Sequence, residues 1–270
     1  MCGIAGWVDW RNDLTHQAAV IERMAETICH RGPDALGQWL SPHAVLAHRR
    51  LIVIDPQTGG QPMIYQQGDR VYVITYNGEI YNFRELRRAL EDCGHTFRTH
   101  SDTEVILHAY VEWGEACVRR LNGIFAFGLW DEQKQQLLLA RDHLGVKPLF
   151  YARRGTAILF GSELKTLLAH PDMKAEVDAR GIAEILTYAY APDSGVYRNI
   201  FALRAGHLAA CDEQHMRITS YWSLQSAPHP DDVQTTAEHI GTLLADTVKR
   251  QLIADVPVVT MLSGGSIRAA

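Results

Sequence analysis

Four short apolar runs in close succession constrain this chain more than any other feature. Ile124 to Trp130, Leu137 to Ala140, Leu149 to Ala152 and Ala157 to Phe160 are rich in leucine, aromatic and β-branched residues and too short for helices, with turn signals around Asp131 and Gly145 connecting the first three. They read as consecutive strands. Two more strand-like segments lie upstream: Gly3 to Trp10 alternates small or apolar residues, and Val71 to Tyr76 runs into Asn77-Gly78, a pair suited to positive φ, which predicts a tight turn at the strand's end. Further extended segments fall around Gly37 to Leu40 and Val45 to Arg50. Helical spacing joins them: Val20, Ile21, Met24 and Ile28; Phe83, Leu86 and Leu90; then Val105, Ile106, Ala109 and Tyr110, with Asp102 at a cap or first-turn position. It returns at Leu164 to Leu168 and Ile182 to Leu186. Strands bracketed by helices predict a layered α+β architecture, for which two sheets stacked between helix pairs is one arrangement the pattern allows.

The remainder of the chain changes character. Short extended runs at His207 to Cys211 and Met216 to Trp222 precede a polar, proline-containing stretch, Ser226 to Asp232, which reads as a linker. Beyond it Ile240, Leu243, Leu244, Val248 and Leu252 mark a helix face, and Val256 to Leu262 is a nearly unbroken apolar strand ending in Ser263-Gly264-Gly265. A net charge of −5 without any basic run excludes an electrostatic footprint for nucleic acid or anionic membrane. The five cysteines are odd in number, widely spaced and free of CxxC pairs, which argues for a reducing cytoplasm rather than a disulfide framework or zinc cage. No export signal or apolar stretch of membrane-spanning length is present, so no membrane association is expected. His95, His100 and His108 lack ligating neighbours at a recurring spacing and read as surface or helix histidines; no metal is expected.

Cys2 is the residue with the most distinctive chemical context. Trimming of Met1 would place a thiol and a primary amine on one residue, and an α-amino group titrating near about 7.7 to 8.0 can take the thiol proton directly or through water. A separate histidine base is then unnecessary. The alternative is an ordinary cysteine at the start of an edge strand.

Several ordered motifs accompany it: Cys2-Gly3-Ile4, His30-Arg31-Gly32-Pro33-Asp34, His48-Arg49-Arg50-Leu51, Tyr76 to Asn82 (YNGEIYN), Ser101-Asp102-Thr103-Glu104 and Arg141 to Leu149 (RDHLGVKPL). Together they resemble the class II glutamine amidotransferases, specifically the glutamine-hydrolysing asparagine synthetases, from Cys2 to about Gly265. The resemblance implies an N-terminal-nucleophile hydrolase fold, an α+β four-layer αββα sandwich, with a C-terminal stub of an α/β ATP pyrophosphatase domain. It implies a glutaminase domain over residues 2–190, an extended or linker region over 191–235 and the start of a synthetase domain over 236–270. It also implies that Cys2 attacks L-glutamine, with Asn77 and Gly78 in the oxyanion hole, and that Arg50, Val53, Glu79 and Asp102 bind substrate, Arg50 being chosen over Arg49 by the family's His-x-Arg-Leu spacing.

Splitting hydrolysis of a poorly electrophilic amide into thioester formation and thioester hydrolysis is what such a nucleophile achieves. From residue pattern alone, Asn77-Gly78 is equally a strand-end turn, Asp102 a helix N-cap and Glu79 a solvated turn residue. Lys147-Pro148 reads as a loop-shaping pair.

The resemblance requires no cofactor in the glutaminase domain, whereas ATP, Mg and aspartate belong to the full-length family, as does an aspartate-to-asparagine amidation fed by the released ammonia. Leu262, Ser263, Gly264 and Gly265 would form an incomplete pyrophosphate loop, since Ile267 and Arg268 stand where the family has Asp and Ser. The chain is thus expected to hydrolyse glutamine without making asparagine, with a homodimer left open as its assembly. Two alternatives stay open: the glutaminase half of another class II amidotransferase, or a non-catalytic module that binds glutamine or a protein partner.

Overall fold

The computed structural model describes residues 1–188 and 196–257. In chain order the elements are β1 (Gly3–Asp9), α1 (Ala18–Glu26), β2 (Ala35–Leu40), β3 (Ala44–Arg50), β4 (Met63–Gln67), β5 (Arg70–Ile80), α2 (Phe83–Asp92), α3 (Asp102–Trp113), β6 (Gly123–Asp131), β7 (Gln136–Arg141), β8 (Phe150–Arg154), β9 (Ala157–Gly161), α4 (Leu164–Leu168), α5 (Ala179–Tyr188), β10 (Ile200–Ala202), β11 (His207–Cys211), β12 (Met216–Ser220) and α6 (Val233–Gln251). A 3-10 helix over Gly114–Arg120 continues α3. Among these residues the strands form two six-stranded antiparallel sheets, ordered β10-β8-β9-β1-β3-β2 and β12-β11-β7-β6-β5-β4.

Alternation along the strands explains the stacking. In β6, Ala126 and Trp130 face the first sheet, where they join Ile4, Val8, Leu46 and Phe160 in a core between the sheets. The alternate residues Phe125, Phe127 and Leu129 face the other way and pack with Leu86, Leu90, Val105, Ile106 and Tyr110 of α2 and α3. On the opposite outer face Ala5, Trp7, Val45 and Leu159 receive Ile21 and Met24 of α1 and Leu167 of α4. The result is the four-layer αββα sandwich. Phe160 lies between Gly6 of β1 and Gly128 of β6, and a Cβ at either position would run into its ring. Facing glycines thereby let the sheets close over a large aromatic.

Two polar contacts stitch the sheets together near the β3–β5 crossing. Thr75 Oγ1 donates to the Ala47 carbonyl at 2.9 Å, and His48 Nε2 lies 2.9 Å from the Tyr76 carbonyl. The carbonyl can only accept, so the proton of a neutral His48 sits on Nε2. His48 is fully buried, and burial drops its pKa from the usual 6.5 to about 4. It is a neutral structural link rather than a base.

The turn expected at Asn77-Gly78 does not form. β5 continues to Ile80, pairing Asn77 with Ala126 and Gly78 with Phe125 of β6. Glycine is required at 78 by close approach, not by positive φ: a Cβ there would sit 2.7 Å from Phe125 Cα and would collide with the Ile124 carbonyl. Composition misled here because a central strand tolerates glycine where another backbone passes close.

One further difference has a local cause. β4, with polar Gln66 and Gln67 at its end, carries too weak an apolar pattern to announce a strand, yet it pairs with β5 from Met63 to Gln67. The extended runs expected at His207 to Cys211 and Met216 to Trp222 contain β11 and β12, which with β10 extend both sheets, with Leu208, Ala209 and Cys211 buried. Residues 223–231 are irregular. Of the apolar strand expected over Val256 to Leu262, residues from 258 onward lie outside the described residues, as do Leu262, Ser263, Gly264 and Gly265.

Candidate active site

β1 delivers Cys2 to the edge of a cleft of about 120 Å³ framed by β5, the start of α3 and the loop after β3. The start of the chain is fixed rather than loose. Arg31 donates from Nε to the Cys2 carbonyl at 3.0 Å and pairs through Nη1 with Glu163 Oε1 at 3.0 Å, while Asp34 Oδ2 accepts from the Ile52 N–H at 2.8 Å. The His30 to Asp34 motif therefore holds both strand ends that border the cleft. Cys2 Sγ accepts from the Leu51 N–H at 3.3 Å and lies 3.5 Å from the Leu51 carbonyl. Burial raises the thiol pKa, opposed by the Leu51 N–H, the terminal ammonium and Arg50. A thiol so placed stays protonated until a base removes its proton.

Asn77 lies in the cleft wall, 1% exposed, and its Nδ2 has no hydrogen-bond partner among the described residues. A buried amide donor left unpaired costs about 1–3 kcal/mol, so it marks a place where an acceptor is wanted. Gly78 lines the same wall.

The charged residues divide the cleft. Strand alternation sends Arg49 to α1, where it pairs with Glu26 and bonds the Ala25 carbonyl at 3.4 Å, and sends Arg50 to the cleft. Arg50 is aimed by backbone carbonyls: Nη2 donates to Asp55 at 2.6 Å and Ile54 at 3.2 Å, and Nη1 to Pro56 at 3.4 Å. Val53 borders it. Asp102 Oδ2 accepts from the Tyr76 hydroxyl at 2.7 Å and the Ile80 N–H at 3.0 Å, and burial raises the pKa of this carboxyl. Burial likewise raises that of Glu79, against the pull of Lys147.

Asp102 is not the N-cap of α3. Ser101 is, its side chain accepting from the Thr103 N–H, so the Asp102 carboxylate is left to the cleft. Cys2, Arg50, Val53, Asn77, Gly78, Glu79 and Asp102 thus all line one site.

Lys147 also lines it, 7% exposed, with its ammonium pKa lowered by burial and supported by Glu79. Reading Lys147-Pro148 as loop-shaping missed this. Asp142 makes the difference, because its carboxylate accepts from the N–H groups of Leu144, Val146 and Lys147 and folds the loop inward. Gln61 and Tyr76 were also missed; Gln61 Oε1 accepts the Tyr76 N–H at 2.7 Å, and both residues line the cleft. A glutamine before a proline carries no signal of its own, whereas Lys147 and Tyr76 stood inside the motifs already singled out.

Residues 1–222 match the family model described as "Glutamine amidotransferase domain", and residues 239–266 match one described as "Asparagine synthase". The chain is 46% identical over 267 residues to "Asparagine synthetase [glutamine-hydrolyzing] 3" of Bacillus subtilis (strain 168), covering 98% of this chain and 44% of that protein. It is 35% identical to "Asparagine synthetase [glutamine-hydrolyzing] 2" of the same organism, covering 100% of this chain and 38% of that one. The chain therefore spans less than half the length of these relatives. A solved glutamine phosphoribosylpyrophosphate amidotransferase from B. subtilis shares the fold, with a TM-score of 0.61 and 18% identity over 82% of this chain and 49% of that one.

Proposed function

Because the chain belongs to the glutamine amidotransferase domain family, we propose that it hydrolyses L-glutamine to glutamate and ammonia with Cys2 as the nucleophile. The observation that carries the reading is the unpaired, buried Asn77 Nδ2 in the same cleft as the Cys2 thiol. An orphan donor beside a nucleophile is what a developing oxyanion needs.

Free glutamine is a zwitterion with a neutral carboxamide at its far end. Arg50, with its fork already oriented by three carbonyls, suits the α-carboxylate, and Asp102 with Glu79 suits the α-ammonium. Tyr76 and the Ile80 N–H hold Asp102 from behind, so binding an ammonium requires little reorganisation. That placement leaves the carboxamide to reach Cys2.

After removal of Met1, the freed Cys2 amine takes the thiol proton and sulfur attacks the carboxamide carbon. The carbonyl oxygen becomes an oxyanion stabilised by Asn77 Nδ2 and the Gly78 N–H. Collapse expels ammonia, which leaves with the proton the amine had taken. Water then cleaves the thioester, giving glutamate and restoring the thiol. Lys147 brings a positive charge, partly offset by Glu79, into the same cleft as the thiol.

The matches to asparagine synthetases and the segment 239–266 support a longer reaction in which the ammonia amidates aspartate at the expense of ATP. The residues expected to form its pyrophosphate loop lie beyond the described ones. Glutamate release by purified protein tests the reading directly: wild type should produce it and Cys2→Ala should not, with unchanged folding. Equal turnover by both would remove Cys2 from the chemistry.

A further inference from the structure

We propose that Asp255 is a positioning residue for glutamine recognition: it clasps the turn over residues 53–55 and thereby fixes the guanidinium of Arg50. The inference rests on Arg50 binding the substrate carboxylate, as above.

Two hydrogen bonds make the clasp. The Asp255 N–H donates to the Val53 carbonyl at 2.9 Å, and Asp255 Oδ2 accepts from the Asp55 N–H at 2.8 Å. The clasp helps to hold Asp55 at φ 48°, a left-handed conformation uncommon for residues with a Cβ, though aspartate adopts it more readily than most. The other groups of Asp55 are committed elsewhere. Its carboxylate accepts from Thr58 and from the His100 N–H, and its carbonyl takes the 2.6 Å bond from Arg50. Only Asp255 serves its N–H among the described contacts.

Arg50 is aimed by the carbonyls of Ile54, Asp55 and Pro56, so the direction of its fork follows the conformation of this turn. Loosening the turn redirects the fork without touching Cys2 or Asn77. Asp255 is delivered by a separately anchored segment: Arg250 pairs with Glu85 of α2 at 2.9 Å, and Ile253 packs against the core beneath α2 and α3. α6 itself adds nothing to that core, since Ile240, Leu243 and Leu244 are 60%, 67% and 63% exposed. The clasp therefore ties the substrate cleft to residues 250–255, within the stretch that matches the asparagine synthase model. Any rearrangement of that stretch would be felt at Arg50 through two hydrogen bonds.

The test uses the full chain. Asp255→Ala should raise KM for L-glutamine about tenfold while kcat stays within about twofold, because recognition of the carboxylate is lost and the chemistry is not. Hydrolysis of L-glutamine α-amide, which has no carboxylate for Arg50, should be unchanged. Asp255→Asn, which retains an acceptor oxygen, should restore most of the affinity. A residue that only stabilises the fold would lower the melting temperature and leave the difference between the two substrates intact. That result, or an unchanged KM, overturns the proposal. Wild-type protein without any turnover would refute the hydrolase reading instead. The clasp would then be decided by calorimetric titration of L-glutamine into Cys2→Ala protein with and without Asp255→Ala. About tenfold weaker binding in the double variant supports it, and equal affinity, or no binding to either protein, overturns it.

Discussion

Replacing Asn77 by alanine should separate activity from stability. The side chain is 1% exposed and its Nδ2 is unpaired among the described residues. In the resting protein that donor is a liability of about 1–3 kcal/mol. Truncation removes the liability but loses the packing of the amide group, roughly 1–2 kcal/mol of buried contact, so the two nearly cancel. The melting temperature should move by no more than about 4 °C, the shift that 1 kcal/mol gives for a domain of this size. Turnover should behave otherwise. A donor aimed at a developing oxyanion is worth about 2.7–4 kcal/mol in the transition state, so kcat should fall about 10²–10³-fold with little change in KM. Asn77→Asp, of equal volume but with no donor and an added negative charge, should be at least as inactive. The assay is initial-rate glutamate release alongside thermal unfolding of the same preparations. A variant with normal kcat, or one whose lost activity tracks lost stability, would refute the oxyanion role.

Arg50→Lys should raise KM for glutamine by at least about tenfold despite retaining the charge, because an ammonium can neither bind a carboxylate in two-point fashion nor span the carbonyls of Ile54, Asp55 and Pro56. Unchanged KM in steady-state kinetics would make Arg50 structural. Mild acid should destabilise the fold through His48. Its folded pKa of about 4 lies below the ordinary 6.5, so the unfolded chain takes up a proton first, and stability is lost as pH falls from about 6.5 to about 4. The full loss is on the order of 3 kcal/mol. His48→Gln, which keeps a donor for the Tyr76 carbonyl, should flatten that part of the stability curve, and an unaltered profile from denaturant melts would assign the acid sensitivity elsewhere.

The layering was legible because strand and helix periodicities are local. Ile124 to Trp130 and the runs after it announced a sheet, and the residues of β6 face alternately into two cores as that pattern demands. The candidate site was legible for a different reason: Cys2, Arg50, Asn77 and Asp102 sit in ordered motifs whose residue types suit one reaction. What stayed hidden depends on residues far apart in the chain. Gly78 looked like a turn because its real constraint, the passage of β6 at Phe125, lies 47 positions away. Lys147 looked like loop scaffolding because nothing local shows that Asp142 folds its segment inward. Asp102 and a helix cap are indistinguishable in sequence until Ser101 is seen to take the capping bond.

Intact-protein mass spectrometry with peptide mapping, after incubation with a glutamine analogue carrying a diazoketone in place of the carboxamide, tests the central claim most directly. Cys2 as an N-terminal nucleophile predicts a chain lacking Met1 that gains one adduct, mapped to the Cys2 sulfur and suppressed by excess L-glutamine. A chain that retains Met1 and takes up no label, or a label on Cys29, Cys93, Cys117 or Cys211 instead, would contradict it.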